Sequence, residues 1–308
     1  MIRSRFAPTP SGYLHLGNAV NLILAWLLVR RAGGLIKLRI DDADAHRCRP
    51  EFIEDIFRQL DWLGLDWDLG PGGPDEFTSR YSQRRRLERY REVLSTLQAR
   101  GGLFFCTCSR RQIKKISDSH LYPGTCRSCG QPPGRPHTAR IMVPDQWTHD
   151  PAPREMVLAA TSGAGRPLAG STLCPVSLAT EMGDFILWRR DNLPAYQLAS
   201  LVDDLDDGIN FIVRGRDLLP STAAQSFLAE QLGRAGGAFL AADFLHHPLL
   251  TNDQGQKLAK SDQALSLAAM RRAGTTPGDI YRQAARFLGQ PGDEINSLAD
   301  LLATLTAP

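Results

Sequence analysis

Arg5-Phe6-Ala7-Pro8-Thr9-Pro10-Ser11-Gly12-Tyr13-Leu14-His15-Leu16-Gly17-Asn18 is the stretch on which the fold is decided. Residues 2–6 read as a short strand that runs into a Pro/Ser/Gly loop. An apolar helix follows from about Asn18 to Ala32, and Gly33-Gly34 end it. A loop between a strand and a helix N-terminus favours phosphate, because free N–H groups and the helix dipole both point at the ligand. His15 can donate to a phosphate oxygen, and Gly17 lets a nucleotide come close to the backbone. Taken alone, His-x-Gly is a weak signal, better matched by an ordinary loop carrying a surface histidine.

Outward from this stretch, strands and helices alternate. Leu35–Ile40 reads as a strand with Asp41, Asp42 and Asp44 at its carboxyl end. Pro50 opens a helix whose apolar residues Phe52, Ile53, Ile56, Phe57 and Leu60 share one face. Residues 81–100 read as a charged helix. After residue 180 the pattern resumes with strands at 185–188 and 211–213 and helices at 195–202 and 222–232. Strand-helix alternation predicts an α/β fold with a parallel Rossmann-like sheet. The expected partition is a first catalytic half at 1–100, an insertion at 101–180, a second half at 181–261 and a helical tail at 262–308.

Lys257-Leu258-Ala259-Lys260-Ser261 supplies two lysines three apart in a loop, suited to charge developing on a leaving pyrophosphate. A solvated surface loop would look the same. Cys106, Cys108, Cys126 and Cys129 cluster, with Tyr122 between them. Thiolates spaced C-x-C and C-x2-C can close a tetrahedral zinc site, and a filled site of four ligands is structural.

These motifs, in this order, resemble the glutamyl-tRNA synthetase family of class I aminoacyl-tRNA synthetases. The resemblance rests on the opening stretch, on Leu38-Arg39-Ile40-Asp41-Asp42-Ala43-Asp44, on Ala195-Tyr196-Gln197-Leu198-Ala199 through Asp204, on Ile212-Val213-Arg214-Gly215, and on Lys257–Ser261. It covers about residues 5–261, and with few residues after Lys260 it points to the shortened branch that lacks anticodon-binding domains, the glutamyl-queuosine tRNA(Asp) synthetases. The resemblance implies a ligase that activates L-glutamate with ATP and Mg²⁺ to glutamyl-adenylate, then transfers glutamate to the queuosine base of tRNA(Asp). It implies His15, Lys257 and Lys260 as catalytic, and His15, Gly17, Asn18 and Lys260 at ATP. Arg5, Phe6, Ala7, Pro8, Thr9, Asp41, Tyr196 and Arg214 would bind glutamate. Cys106, Cys108, Tyr122 and Cys126 would hold structural Zn²⁺, while thiolate chemistry keeps Cys129 as a rival to Tyr122.

The residue types suit these roles. Guanidinium binds carboxylate through two parallel hydrogen bonds, and a carboxylate meets an ammonium. The alternative is that Arg5 and Asp41 pair with each other on adjacent strands. The family carries Glu where Asp41 stands, a methylene longer. It often has Asn where Ser200 stands, and Asn18 and Ala259 depart from its literal consensus.

Charge excludes other classes. The chain of 308 residues has 36 Lys+Arg and 33 Asp+Glu, a net +3 that excludes a uniformly basic nucleic-acid binder. Yet residues 80–140 hold 14 Lys+Arg against Glu88, Glu92 and Asp118, a net +11 that suits an RNA backbone. The longest apolar run, Val20–Val29, is too short to span a membrane. Clustered cysteines with no leader pattern predict a reducing, cytoplasmic setting. A nucleotidyltransferase acting on a small molecule, a catalytically dead RNA-binding protein, a conventional glutamyl-tRNA synthetase and an aminoacylase for a non-tRNA acceptor are the other readings.

Overall fold

The computed structural model describes residues 1–117, 121–130, 137–150, 155–157, 175–249, 266–290, 292 and 294–306. Strand β1 (Arg3–Phe6) leads through the Pro-rich loop to helix α1 (Leu16–Arg31). The helix begins two residues earlier than its apolar pattern predicts because His15 caps it: the ring accepts from the Asn18 N–H while Asn18 answers the His15 N–H. It is apolar around most of its circumference, so it is buried on both flanks. It ends at Gly33, whose φ of +60° is the left-handed turn that glycine takes without strain.

Strand β2 (Leu35–Leu38) returns parallel to β1, in the register Arg3 to Leu35 through Phe6 to Leu38. The Pro-rich loop stays fastened to its continuation, with the Arg39 N–H on Phe6 O and the Asp41 N–H on Pro8 O. Helix α2 (Pro50–Trp62) packs behind, and α3 (Leu87–Ala99) leads into a second layer. That layer is the antiparallel sheet of β3 (Leu103–Cys106), β4 (Thr138–Ile141) and β8 (Ile186–Trp188), with the short helix α4 (Arg110–Ile116) and the pair β5 (Thr148–His149) and β7 (Val176–Ser177). Strand β6 (Glu155–Val157), β10 (Asp243–His247) and β9 (Phe211–Gly215) are parallel, in the order β6-β10-β9. Asn210 joins this triplet to β1: its N–H donates to Arg3 O and its Oδ1 accepts from the Arg3 N–H.

Two differences from the sequence expectation stand out. Residues 185–188 were expected to open the second half of the parallel sheet, but β8 pairs antiparallel with β4. Conversely β6, inside the expected insertion, joins the parallel sheet beside β10. A run of three or four apolar residues carries no information on which sheet will accept it.

Helices α5 (Tyr196–Asp206) and α6 (Leu219–Gln231) cover one face of the parallel sheet. On the other face lie α1, α2 and the tail, where α7 (Leu267–Arg272) precedes α8 (Pro277–Phe287) and α9 (Leu298–Thr306). Tyr281 locks α8 down by donating to Leu63 O at 2.8 Å. Side chains alternate between the two cores. Phe6, Ile36, Leu38, Ile40, Val213 and Leu245 face α1; Ile212 and Phe244 face α5 and α6. No helix among the described residues is long and apolar enough to cross a membrane.

Candidate active site

The strand alternation builds the site. With Phe6, Ile36, Leu38 and Ile40 committed to the α1 face, Arg5, Lys37, Arg39 and Asp41 take the opposite parity at the carboxyl ends of β1 and β2. Arg214 and His246 take the parity of Ile212 and Phe244 on β9 and β10. Ligands of open parallel sheets bind outside the carboxyl ends of the strands, which is where these groups lie.

Asp204 of α5 is their centre, fully buried. Its Oδ1 accepts from Arg5 Nε at 3.0 Å and Arg39 Nη1 at 2.6 Å, and its Oδ2 lies 3.9 Å from Arg214 Nη2. Burial would raise this carboxyl, but the guanidiniums of Arg39, Arg5 and Arg214 outweigh it and hold the group below the usual range. Asp41 is buried against Arg39, with Oδ1 at 2.7 Å from Nε and Oδ2 at 3.2 Å from Nη2. For Asp41 burial prevails over Arg39 and the carboxyl is raised. The expected pairing alternative is therefore corrected: Arg5 bonds Asp204, and Asp41 bonds Arg39. Gln83 joins the network, donating to Asp203 at 2.8 Å and Asp41 at 3.3 Å while accepting from the Ala43 N–H. Asp203 also takes the Tyr90 hydroxyl and pairs with Arg86 at 2.8 Å; its carboxyl is pushed by burial to about 6.

Arg214 differs from the other guanidiniums. It is 2% exposed, and burial pulls it below the arginine range. Its Nη1 donates to Gln225 and Thr222, but Nε and Nη2 have no hydrogen-bond partner among the described residues. Tyr196, the first residue of α5, is exposed. Arg5, Asp41 and Arg214 are thus brought together through Asp204 and Arg39. Phe6 and Pro8 are buried at the strand end, Ala7 is half-buried and Thr9 is exposed.

His15 and Asn18 cap α1 on the same edge of the sheet. Gly17 cannot carry a side chain without moving His15, since a Cβ there would lie 3.0 Å from the ring. Lys257 and Lys260 lie outside the described residues. The chain just beyond them is nevertheless fixed: Ser266 bridges His15, and the Leu267 N–H donates to Leu14 O at 2.7 Å.

The thiols of Cys106, Cys108 and Cys126 lie within 4.8 Å of one another, with Cys108 and Cys126 3.6 Å apart. Sulfurs on a zinc tetrahedron are spaced about 3.8 Å apart for a Zn–S bond of about 2.3 Å, so the group fits that metal. The Tyr122 hydroxyl is 4.0 Å from Cys108 Sγ. Cys129 does not join the group: it is exposed and its Sγ is turned to Thr125 O.

The net charge of residues 80–140 is not a free patch. Arg86 and Arg89 pair with Asp206, Arg91 with Glu88, and Arg127 with Asp184, three of them through acids outside or at the edge of the segment. Arg110, Arg111, Lys114 and Lys115 on α4 are exposed and make no ion pair among the described residues.

Comparison with known proteins agrees with this architecture. The family profile described as tRNA synthetases class I (E and Q), catalytic domain, matches residues 1–301. The chain is 41% identical to the Glutamyl-Q tRNA(Asp) synthetase of Symbiobacterium thermophilum, covering 94% of this chain and 87% of that protein. It is 38% identical to the Glutamyl-Q tRNA(Asp) synthetase of Nitratidesulfovibrio vulgaris, covering 100% and 94%. The crystal structure of glutamate-tRNA synthetase from Elizabethkingia anophelis shares the fold, with a TM-score of 0.74 at 23% identity; it covers 98% of this chain, which spans 65% of that longer one. With a parallel sheet whose carboxyl edge carries the quoted motifs, and with relatives of this identity over nearly its whole length, the chain belongs to the class I tRNA synthetases of the E and Q family.

Proposed function

We propose that the protein activates L-glutamate with ATP and transfers it to the queuosine base of tRNA(Asp). The observation that carries this is the charge of the buried site. Arg5, Arg39 and Arg214 face Asp41 and Asp204, while Arg86 answers Asp203, so this ion-paired cluster holds one more cation than anion. An acidic amino acid, with two carboxylates and one ammonium, closes that account, and the relatives' names point to glutamate as that amino acid. Glutamine would leave a buried guanidinium unmatched, a cost on the order of several kcal/mol. The unpartnered Nε and Nη2 of Arg214 form a fork of the right shape for a carboxylate.

In this reading Arg5, Thr9, Tyr196 and Arg214 hold the carboxylates and Asp41 meets the ammonium, with Phe6, Ala7 and Pro8 walling the pocket. An oxygen of the α-carboxylate attacks the α-phosphorus of ATP. The new P–O bond forms as the bond to pyrophosphate breaks, and pyrophosphate leaves with the electron pair. His15, Lys257 and Lys260 meet its charge, Gly17 and Asn18 cradle the nucleotide, and Mg²⁺ accompanies ATP. Zn²⁺ on Cys106, Cys108, Cys126 and Tyr122 would be structural, fastening β3 to the following loop. The exposed cations of α4 beside it offer phosphate contacts to the tRNA.

ATP–pyrophosphate exchange tests the first half: it should require glutamate, proceed without RNA and ignore glutamine. Labelled glutamate tests the second. Transfer should persist on tRNA(Asp) stripped of its 3′-terminal adenosine and vanish on a transcript without queuosine. The reverse pattern would assign conventional charging of a tRNA 3′ end.

A further inference from the structure

Arg214 is held from behind by a chain of side chains that none of the site motifs includes. Its Nη1 donates to Gln225 Oε1 at 2.8 Å and Thr222 Oγ1 at 3.1 Å, which uses both Nη1 hydrogens and turns the Nε/Nη2 edge away from α6. Thr222 Oγ1 lies 3.0 Å from His246 Nε2 and donates to Leu218 O at 3.3 Å. Thr222 and His246 are both fully buried. Phe244 completes the bracket, its ring parallel to that of His246 and beneath the guanidinium of Arg214, 5.7 Å from its centre.

Counting hydrogens fixes the imidazole. A hydroxyl has one hydrogen and two lone pairs. The Thr222 hydrogen goes to Leu218 O and one lone pair accepts from Arg214, so the other accepts from His246 Nε2–H. His246 Nδ1 is then a bare acceptor, consistent with its lacking a hydrogen-bond partner among the described residues. The opposite tautomer would bury an unpaired N–H and take the hydroxyl away from Leu218, the costlier arrangement.

We propose that Thr222 and His246 are positioning residues for Arg214: the imidazole fixes the hydroxyl, the hydroxyl fixes Nη1, and the free edge of the guanidinium is thereby presented to a substrate carboxylate. This rests on the reading of Arg214 as the carboxylate ligand. Burial and the charge of Arg214 pull His246 down to about 3, so it stays a neutral donor at any working pH. The arrangement rewards a carboxylate over a carboxamide. A fixed fork of two donors suits two acceptor oxygens, whereas an amide offers one oxygen and an NH₂ that meets the fork donor to donor.

The test is ATP–pyrophosphate exchange on T222V and H246L, with T222S and H246Q as conservative partners and R214Q alongside. T222V and H246L should raise the glutamate KM at least tenfold with the ATP KM unchanged, and T222S and H246Q should recover most of that loss. If T222V and H246L keep the wild-type glutamate KM while R214Q raises it, the relay is wrong and the carboxylate reading stands. If R214Q also leaves that KM alone, both fall. A drop in kcat with both KM values unchanged would indicate a merely structural role and overturn the relay. The wild-type protein provides an arm independent of variant folding: ¹⁵N-histidine NMR should find His246 protonated on Nε2, and protonation on Nδ1 would overturn the proposal.

Discussion

Replacing Asp204 by Asn tests the charge core directly. The amide keeps the shape of the carboxylate, so packing survives while the charge is removed. Asp204 is fully buried, and one oxygen serves both Arg5 and Arg39. Removing one partner from a buried ion pair costs about 3–5 kcal/mol, because the other is left uncompensated. With two guanidiniums depending on one oxygen, the expected loss lies in the upper part of that range, about 4–5 kcal/mol. Against a domain stability of about 5–15 kcal/mol this is about a quarter of the total or more. The sign with pH follows from its carboxyl being held low. The contribution is present above the unfolded pKa of about 3.9 and is lost as pH falls through the lower folded value, so the D204N and wild-type curves should converge in acid. Urea unfolding followed by circular dichroism at pH 7.5 should show a lower midpoint at unchanged slope. Half-molar salt should not narrow the gap, since buried pairs are screened little. A loss below about 1 kcal/mol at pH 7.5, at unchanged slope, would refute the view that Asp204 organises the arginines.

Other perturbations give distinct outcomes. His246 is neutral in the fold, with its pKa lowered to about 3 by burial. Stability tied to it is full above the unfolded pKa of about 6.5 and falls by about 1.4 kcal/mol per pH unit below that, so H246Q should lose about 2.5 kcal/mol less than wild type between pH 7 and 4.5. Metal analysis should find one zinc per chain, lost with C108S together with several degrees of melting temperature, whereas C129S should retain it. G70A should cost about 2–4 kcal/mol in urea unfolding: its φ of +110° disfavours a side chain, and a Cβ would lie 2.3 Å from Leu38 O. That oxygen belongs to the same residue whose N–H bonds Leu69 O at 2.8 Å, so the strand has no room to retreat.

Part of this site is legible in the sequence. Ile36-Lys37-Leu38-Arg39-Ile40-Asp41 alternates apolar and charged residues at the strand period, which is enough to put Arg39 and Asp41 on a face away from α1. The cap at His15 is equally local. What was missed comes from far along the chain. Asp203 and Asp204 sit in an amphipathic helix more than 160 residues after Arg39, and no periodicity says which arginine each will meet. Gln83 reads as one more polar residue in an arginine-rich run, although it bridges two buried carboxylates. The sum of +11 over residues 80–140 treats neighbours in sequence as neighbours in space. Folding brings Asp206 to Arg86 and Arg89, and Asp184 to Arg127, and leaves Arg84, Arg85, Arg100 and the four cations of α4 exposed without an ion pair among the described residues. The spacing of the cysteines could not separate Tyr122 from Cys129, because the choice depends on a turn that faces one toward the thiols and the other outward.

The hydrogen bond from Leu267 to Leu14, with Ser266 bridging His15, sets a boundary on the lysines that precede it. Lys260 is six residues from Ser266, and a chain spans at most about 3.5 Å per residue, so its Cα stays within about 20 Å of Ser266 in every conformation open to it. One group confined to a sphere of that radius has an effective concentration of about 50 mM. If that lysine meets the nucleotide as proposed, the backbone clasp at Leu14 and Leu267 sets the length of its tether, and weakening the clasp would dilute the lysine without altering a single charge.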